Sequence, residues 1–304
     1  MSIHLQTPLI ESEALGSAGQ RIWLKLEVLQ PSGSFKLRGI GHACEHHAAR
    51  GARRLLSSSG GNAGLAVAYA GRRLGLPVTV VVPESTRERA RELIRRQGAH
   101  VIVHGKSWME ANEHLLELRD PDDAFIHPFD DRLLWDGHAS MIAEAVQQMP
   151  RPDAVVLSVG GGGLMCGVLQ GMHACGWKDV PLVAVETVGA HSLNAAIAAG
   201  APVTLDAITS VATSLGARRV CDRAFEWTRR HPLFATTVSD AQAVDACLRI
   251  AHEHRFIVEP ACGAAIAAAV LRQAPPLQVA ANVLVILCGG VTTTYEDLLT
   301  LARS

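Results

Sequence analysis

Little in this sequence favours a membrane, a nucleic acid or a disulfide framework. No uncharged apolar run in its 304 residues reaches the ~18 needed to span a bilayer. The start of the chain has neither a basic stretch nor an apolar segment that would mark export. Charged residues make up only 19%, below the ~25% usual for soluble domains. With 28 basic against 29 acidic residues, the net charge of −1 leaves no general basic field for a nucleic acid. The seven cysteines are odd in number, none are spaced C-x-x-C, and none lie in a Cys/His pattern for zinc. They read as small apolar core residues in a cytoplasmic protein. Lysine is scarce as well: only Lys25, Lys36, Lys106 and Lys178 occur, and arginine supplies the other basic residues. What the chain does have is apolar residues, 48% of the total. That supports a large core, excludes a disordered chain, and at ~150 residues per domain suggests about two domains.

Short β-rich runs alternate with helical stretches. Strands are expected at 22–28, 54–58, 78–82, 100–103, 124–128, 154–159, 182–186, 234–238 and 282–287. Several are continuous Val/Ile/Leu runs, which implies burial on both faces and hence a parallel sheet covered by helices. Helical patterns fall at 87–97, 109–118 and 241–254, the last opened by Ser239 and Gln242 as a capping box. Ala-rich 261–271 reads as a tightly packed helix. The alternation indicates an α/β protein with right-handed crossovers.

Three segments carry chemistry. Gly160, Gly161, Gly162 and Gly163 separate a buried strand from a helix. Successive free N–H groups at a helix N-terminus make an anion site, most naturally for phosphate. The dinucleotide pattern would need glycine at 165 or 166, where Met165 and Cys166 stand, and no Gly-Lys-Ser/Thr occurs. The phosphate is therefore not one on NAD or ATP; a plain packing turn is the alternative. A second strand–loop–helix segment, Ser59, Gly60, Gly61 and Asn62, offers hydroxyl, amide and N–H donors to a carboxylate, or caps its helix through Ser59 or Asn62. The third segment turns at Pro31 and Gly33 and opens a helix with Phe35 and Lys36. Lys25 reads as a solvated lysine on the alternating face of a strand; Lys36, beside these neighbours, does not.

Together these segments resemble the fold-type-II pyridoxal-phosphate enzymes, and within them the serine dehydratase (serine/threonine ammonia-lyase) branch. The resemblance runs from Thr7-Pro8-Leu9 to Gly289-Gly290 and includes 30–41, 58–64, 158–163, 185–187, 208–216, 258–265 and 285–290. It implies two open, twisted, mostly parallel sheets flanked by helices, with the cofactor in the interdomain cleft. A large cofactor domain (1–34 and 137–304) and a small domain (35–136) bearing the Schiff-base lysine are expected.

By resemblance, Lys36 bonds the cofactor and Phe35 lies against its ring. Gly160 to Gly163 hold its phosphate, Asn62 its 3′-oxygen, and Cys288 faces the ring nitrogen. Ser59, Gly60, Gly61 and Asn62 meet the substrate, with glycine at 60 enlarging the space beside it. Glu186, with backbone near Ala190, Ser214 and Leu215, is a candidate site for a monovalent cation such as K+; a strand-end salt bridge is the alternative for Glu186. The implied reaction converts L-serine to pyruvate and ammonia, and L-threonine to 2-oxobutanoate. Small-molecule amino acids are the expected partners, and a homodimer the expected assembly. Serine racemase, a β-replacement enzyme on the same scaffold and an inactive cofactor- or amino-acid-binding protein are the alternatives. Racemisation is disfavoured because Gly60 has no side chain to move a proton. An allosteric biosynthetic threonine deaminase is disfavoured because the sequence stops at Ser304.

Overall fold

The computed structural model describes residues 2–303. The chain divides into two compact units, one of residues 30–138 with the segment up to Leu5, the other of Gln6–Leu29 with the chain from Ala139 onward. In chain order the elements are β1 (Leu9–Ser17), β2 (Gln20–Lys25), α1 (Lys36–Ala49), β3 (Arg54–Ser57), α2 (Asn62–Leu74) and β4 (Val78–Val82). Next come α3 (Glu88–Arg96), β5 (His100–Val103), α4 (Trp108–Glu117), β6 (Asp123–Phe125) and α5 (Arg132–Gln148), within which the unit boundary falls. Then follow β7 (Ala154–Ser158), α6 (Gly163–Ala174), β8 (Leu182–Thr187), α7 (Ser192–Ala199), a short 3-10 turn (Thr213–Leu215) and α8 (Asp222–Trp227). The chain continues with β9 (Leu233–Val238), α9 (Asp240–His254), α10 (Pro260–Val270), α11 (Pro275–Val279), β10 (Asn282–Ile286) and α12 (Tyr295–Leu301).

The first unit is built on a four-stranded, all-parallel sheet in the order β5-β4-β3-β6. Its interior strand β4, Val-Thr-Val-Val-Val, is buried at every position, the outcome expected of a continuous apolar run covered on both faces. The second unit carries a six-stranded sheet in the order β1-β2-β10-β7-β8-β9, parallel except where β1 pairs with β2. Ala-rich α10 packs on α9 and on β7, β8 and β10, and its alanines let backbone approach backbone. The Ser239/Gln242 capping box opens α9 as expected.

The edge strand β1 was not among the expected strands, because Glu11, Ser12 and Glu13 interrupt its apolar pattern. It forms because Gly19, at φ +77°, closes a two-residue hairpin with Ser17 opposite Gln20. One consequence corrects the reading of Lys25. Flanked by β1 and β10, its strand is interior, and Lys25 is fully buried rather than solvated. Its Nζ donates to Thr7 O at 2.7 Å, Glu144 Oε2 at 2.6 Å and Gln148 Oε1 at 2.8 Å. These three oxygens match the three donors of the ammonium, which is why the charge tolerates burial. Lys25→Met is expected to cost about 3 kcal/mol in urea unfolding, since it strands Glu144 and two further acceptors; a loss within about 0.5 kcal/mol, typical of a surface site, would contradict this.

Candidate active site

In a parallel sheet each strand delivers its following loop to the same edge, and ligands settle where the strand order reverses direction. In the first unit that reversal lies between β3 and β6: β3, β4 and β5 step one way, and β6 returns to the other side of β3. The loop after β3 holds Ser59, Gly60 and Gly61, and the loop after β6 holds Pro128. Lys36, the first residue of α1, donates from Nζ to Pro128 O at 2.6 Å. One sheet edge thus gathers the lysine and the Ser59–Asn62 loop.

Several contacts fix that lysine. His127 Nδ1 accepts from Phe129 N at 3.2 Å and Asp130 N at 2.7 Å, which shapes the turn around Pro128. The Phe35 ring centre lies 5.2 Å from Lys36 Nζ and 5.0 Å from the His138 ring. A Cβ on Gly39 would sit 2.5 Å from Leu134 O and 2.7 Å from the His138 ring, and one on Gly137 would sit 2.5 Å from Arg38 O. The start of α1 therefore docks on α5 backbone to backbone. His138 is wholly buried, and both ring nitrogens lack a hydrogen-bond partner among the described residues. Burial, then the charges of Lys36 and Arg38, hold it well below the ordinary histidine range, so the ring is neutral.

The N-cap of α2 is Gly61, which has no side chain with which to cap the helix. Ser59 Oγ accepts only a long bond from Gly61 N, 3.4 Å. The positive end of the α2 dipole faces this loop, a setting that favours an anion. Nearby, the buried Ser58 Oγ lacks a partner among the described residues. Gly60 requires a correction. The space that its missing Cβ leaves is not open: a Cβ there would lie 2.5 Å from the Thr86 methyl, 2.8 Å from the Thr86 hydroxyl and 3.2 Å from Val82. The loop after β4 supplies Thr86, a placement that no local signal in the sequence announces.

The second unit repeats the logic. Its strand order reverses between β7 and β10, since β7, β8 and β9 step one way and β10 lies on the other side of β7. Gly160–Gly163 follow β7, and Cys288 follows β10. Gly162, at φ +93°, is the N-cap of α6 and provides no side-chain cap. Gly160 has Leu215 Cα and Ser214 O each 3.1 Å from where a Cβ would lie. The backbone of Ser214 and Leu215 thus packs against the glycine turn. Cys288 is buried, and its hydrogen bond with Cys262, then burial, raise its pKa well above the usual thiol range. It is a neutral thiol.

Glu186, next to last in β8, is buried and accepts from Leu193 N, Asn194 N and Asn194 Nδ2, all at 2.8 Å. Those backbone donors belong to the first turn of α7, so the carboxylate satisfies a helix N-terminus rather than a strand-end salt bridge. Burial pushes its pKa up to about 7. Ala190 follows in the same loop, its N–H donating to Thr187 O at 2.9 Å. Among the described residues no cluster of three His, Cys, Asp or Glu side chains suits a metal ion.

The second unit suits a phosphorylated ring: a helix N-terminus capped by glycine after a turn where a Cβ at 160 or 162 would crowd its neighbours, and a neutral thiol at the adjacent strand end. The first unit supplies the amine of Lys36 and the Ser59–Asn62 loop on one sheet edge. Sequence reasoning missed His138, Thr86 and the carboxylate of Glu259, which accepts from Ser214, because each reaches its place through tertiary packing.

Residues 2–289 match the family model described as pyridoxal-phosphate dependent enzyme. The chain is 46% identical over 308 residues to a mouse protein named L-serine dehydratase/L-threonine deaminase, covering 98% of this chain and 94% of the relative. It is 48% identical over 308 residues to a human protein named serine dehydratase-like, covering 97% and 93%. The crystal structure of a fungal L-serine ammonia-lyase from Rhizomucor miehei matches with a TM-score of 0.91 at 33% identity, covering 100% of this chain and 99% of that one.

Two outcomes test the local geometry. Gly60→Ala is expected to lose about 1–3 kcal/mol in urea unfolding through overpacking, and Thr86→Ala in the same chain to recover most of it. Additive losses would show that Thr86 does not fill the space. During iodoacetamide treatment at pH 8.5, half-buried Cys175 is expected to be alkylated while Cys288 stays intact. Equal labelling, read by peptide mass, would show a Cys288 thiolate.

Proposed function

The chain belongs to the pyridoxal-phosphate dependent enzymes, and we propose that it is an L-serine dehydratase, converting L-serine to pyruvate and ammonia and L-threonine to 2-oxobutanoate. Its architecture of two mostly parallel sheets flanked by helices is that of the fold-type-II members. The observation that carries the substrate assignment is high identity along nearly the whole chain to proteins named for this activity.

The N–H groups of Gly160–Gly163 and the start of α6 would grip the cofactor phosphate through backbone dipoles. Cys288, as a neutral thiol, would face the ring nitrogen without fixing a proton there, which limits how strongly electrons are drawn into the ring. Phe35 would cover the ring, and Asn62 would bond its 3′-oxygen. Ser59, Gly60 and Gly61 would hold the substrate carboxylate at the start of α2. When bound, the cofactor supplies a sink for the electron pair left on the substrate Cα.

Lys36 is the residue that moves a proton. Its Nζ, held on Pro128 O at 2.6 Å, would be the amine that holds the cofactor and, freed by the substrate, the base that takes the proton from Cα. The charges of Lys36 and Arg38 help keep His138 unprotonated, so no imidazolium adds to the positive charge around this amine. Loss of the β-hydroxyl and hydrolysis complete the net conversion to oxo acid and ammonia.

A homodimer is part of the same proposal and rests on the family resemblance. A cytoplasmic setting rests on seven cysteines that are all free thiols. A monovalent cation such as K+ near Glu186 and Ala190, with Ser214 and Leu215, also belongs to it. Lys36→Ala is expected to abolish both the lysine-bound cofactor absorbance and formation of pyruvate and 2-oxobutanoate, assayed with both amino acids, with and without K+. Turnover retained within about tenfold would refute the role of Lys36.

A further inference from the structure

In the second unit, contacts converge on one carboxylate that the proposed function leaves without a role. Glu259, the residue before α10, is 2% exposed. Its Oε2 accepts from the Ser214 hydroxyl at 2.6 Å. Its Oε1 accepts from Thr292 N at 2.8 Å and from the Thr292 hydroxyl at 2.5 Å. A Cβ on Gly290, at φ +122°, would lie 2.5 Å from Oε2, so only glycine lets the chain pass over this group.

Each partner leads to a different part of the proposed cofactor half-site. Ser214 sits in the 3-10 turn whose backbone presses on Gly160: Ser214 O and Leu215 Cα are each 3.1 Å from the missing Cβ. Gly290 and Thr292 lie in the turn that follows Cys288. Both hydroxyls spend their single proton on the carboxylate, which fixes their rotors and leaves only lone pairs to face anything else. Glutamine could not substitute faithfully. With its oxygen kept on the two Thr292 donors, its NH2 would face Ser214, whose hydroxyl would have to turn round and accept, so the bond that fixes that rotor is reversed.

We propose that Glu259 is a positioning residue for the cofactor, setting the turn behind Gly160 and the turn after Cys288 from one buried carboxylate. The inference rests on the reading of Gly160–Gly163 and Cys288 as the cofactor half-site. It explains why an acidic group is buried where hydroxyl and amide donors converge.

The test titrates apo-protein with pyridoxal phosphate for wild type, Glu259→Gln and Ser214→Ala, and follows urea unfolding of each apo form. Expected are a roughly tenfold rise in cofactor Kd for Glu259→Gln and a threefold or larger rise for Ser214→Ala. Because Ser214→Ala strands the buried Oε2, each Kd is taken on the folded fraction read from that variant's urea curve, and a rise that survives this correction separates positioning from a merely structural role. Wild-type affinity in both variants, or a loss that vanishes once folded fraction is corrected for, would overturn the proposal. If Glu259→Gln does not fold, Ser214→Ala decides alone. Failure of wild type to take up the cofactor would instead sink the functional reading on which the proposal stands.

Discussion

Parallel pairing of strands is the constraint from which the candidate site follows. Because parallel strands all point the same way, their following loops crowd one edge, and a reversal of strand order opens a crevice there. Each unit has one such reversal, β3 against β6 and β7 against β10. The Ser59 loop and Pro128, which receives the Lys36 amine, flank the first; the four glycines and Cys288 flank the second. The chemistry-bearing residues are scattered in the chain, but the topology of each sheet gives them a common edge.

Around these edges burial keeps side chains neutral, and backbone supplies much of the polarity. His138 and Cys288 are both held in their uncharged forms. The starts of α2 and α6 are capped by glycines, Gly61 and Gly162, so no side chain stands at the N-cap between either helix dipole and an incoming anion. Buried carboxylates have a separate task. Glu186 satisfies the start of α7, and Glu259 joins the turn behind Gly160 to the turn beyond Cys288.

The interior strands were readable as continuous apolar runs, and β4 and β5 fall on the residues expected for them. The α9 capping box was equally plain, since its two side chains act within one turn. The edge strand β1 escaped because its stability comes from pairing with β2, not from its own pattern. Lys25 misled for a related reason: alternation in a strand shows which residues share a face, not whether the face is covered. At the site, the glycine turn and Lys36 stood out because turns and scarce residues leave local signatures. Thr86, His138 and the contacts of Glu259 depend on other elements arriving beside them, so spacing alone could not show them. Gly60 was read as making room, yet Thr86 already occupies that room.

The central claim is that one amine among the four lysines bonds the cofactor. Borohydride reduction of the pyridoxal-phosphate-loaded protein, followed by peptide mass mapping, tests it most directly. The reduced cofactor should be found on Lys36 alone, with Lys25, Lys106 and Lys178 unmodified. A stoichiometric adduct on any of those three, or none on Lys36, would contradict the assignment.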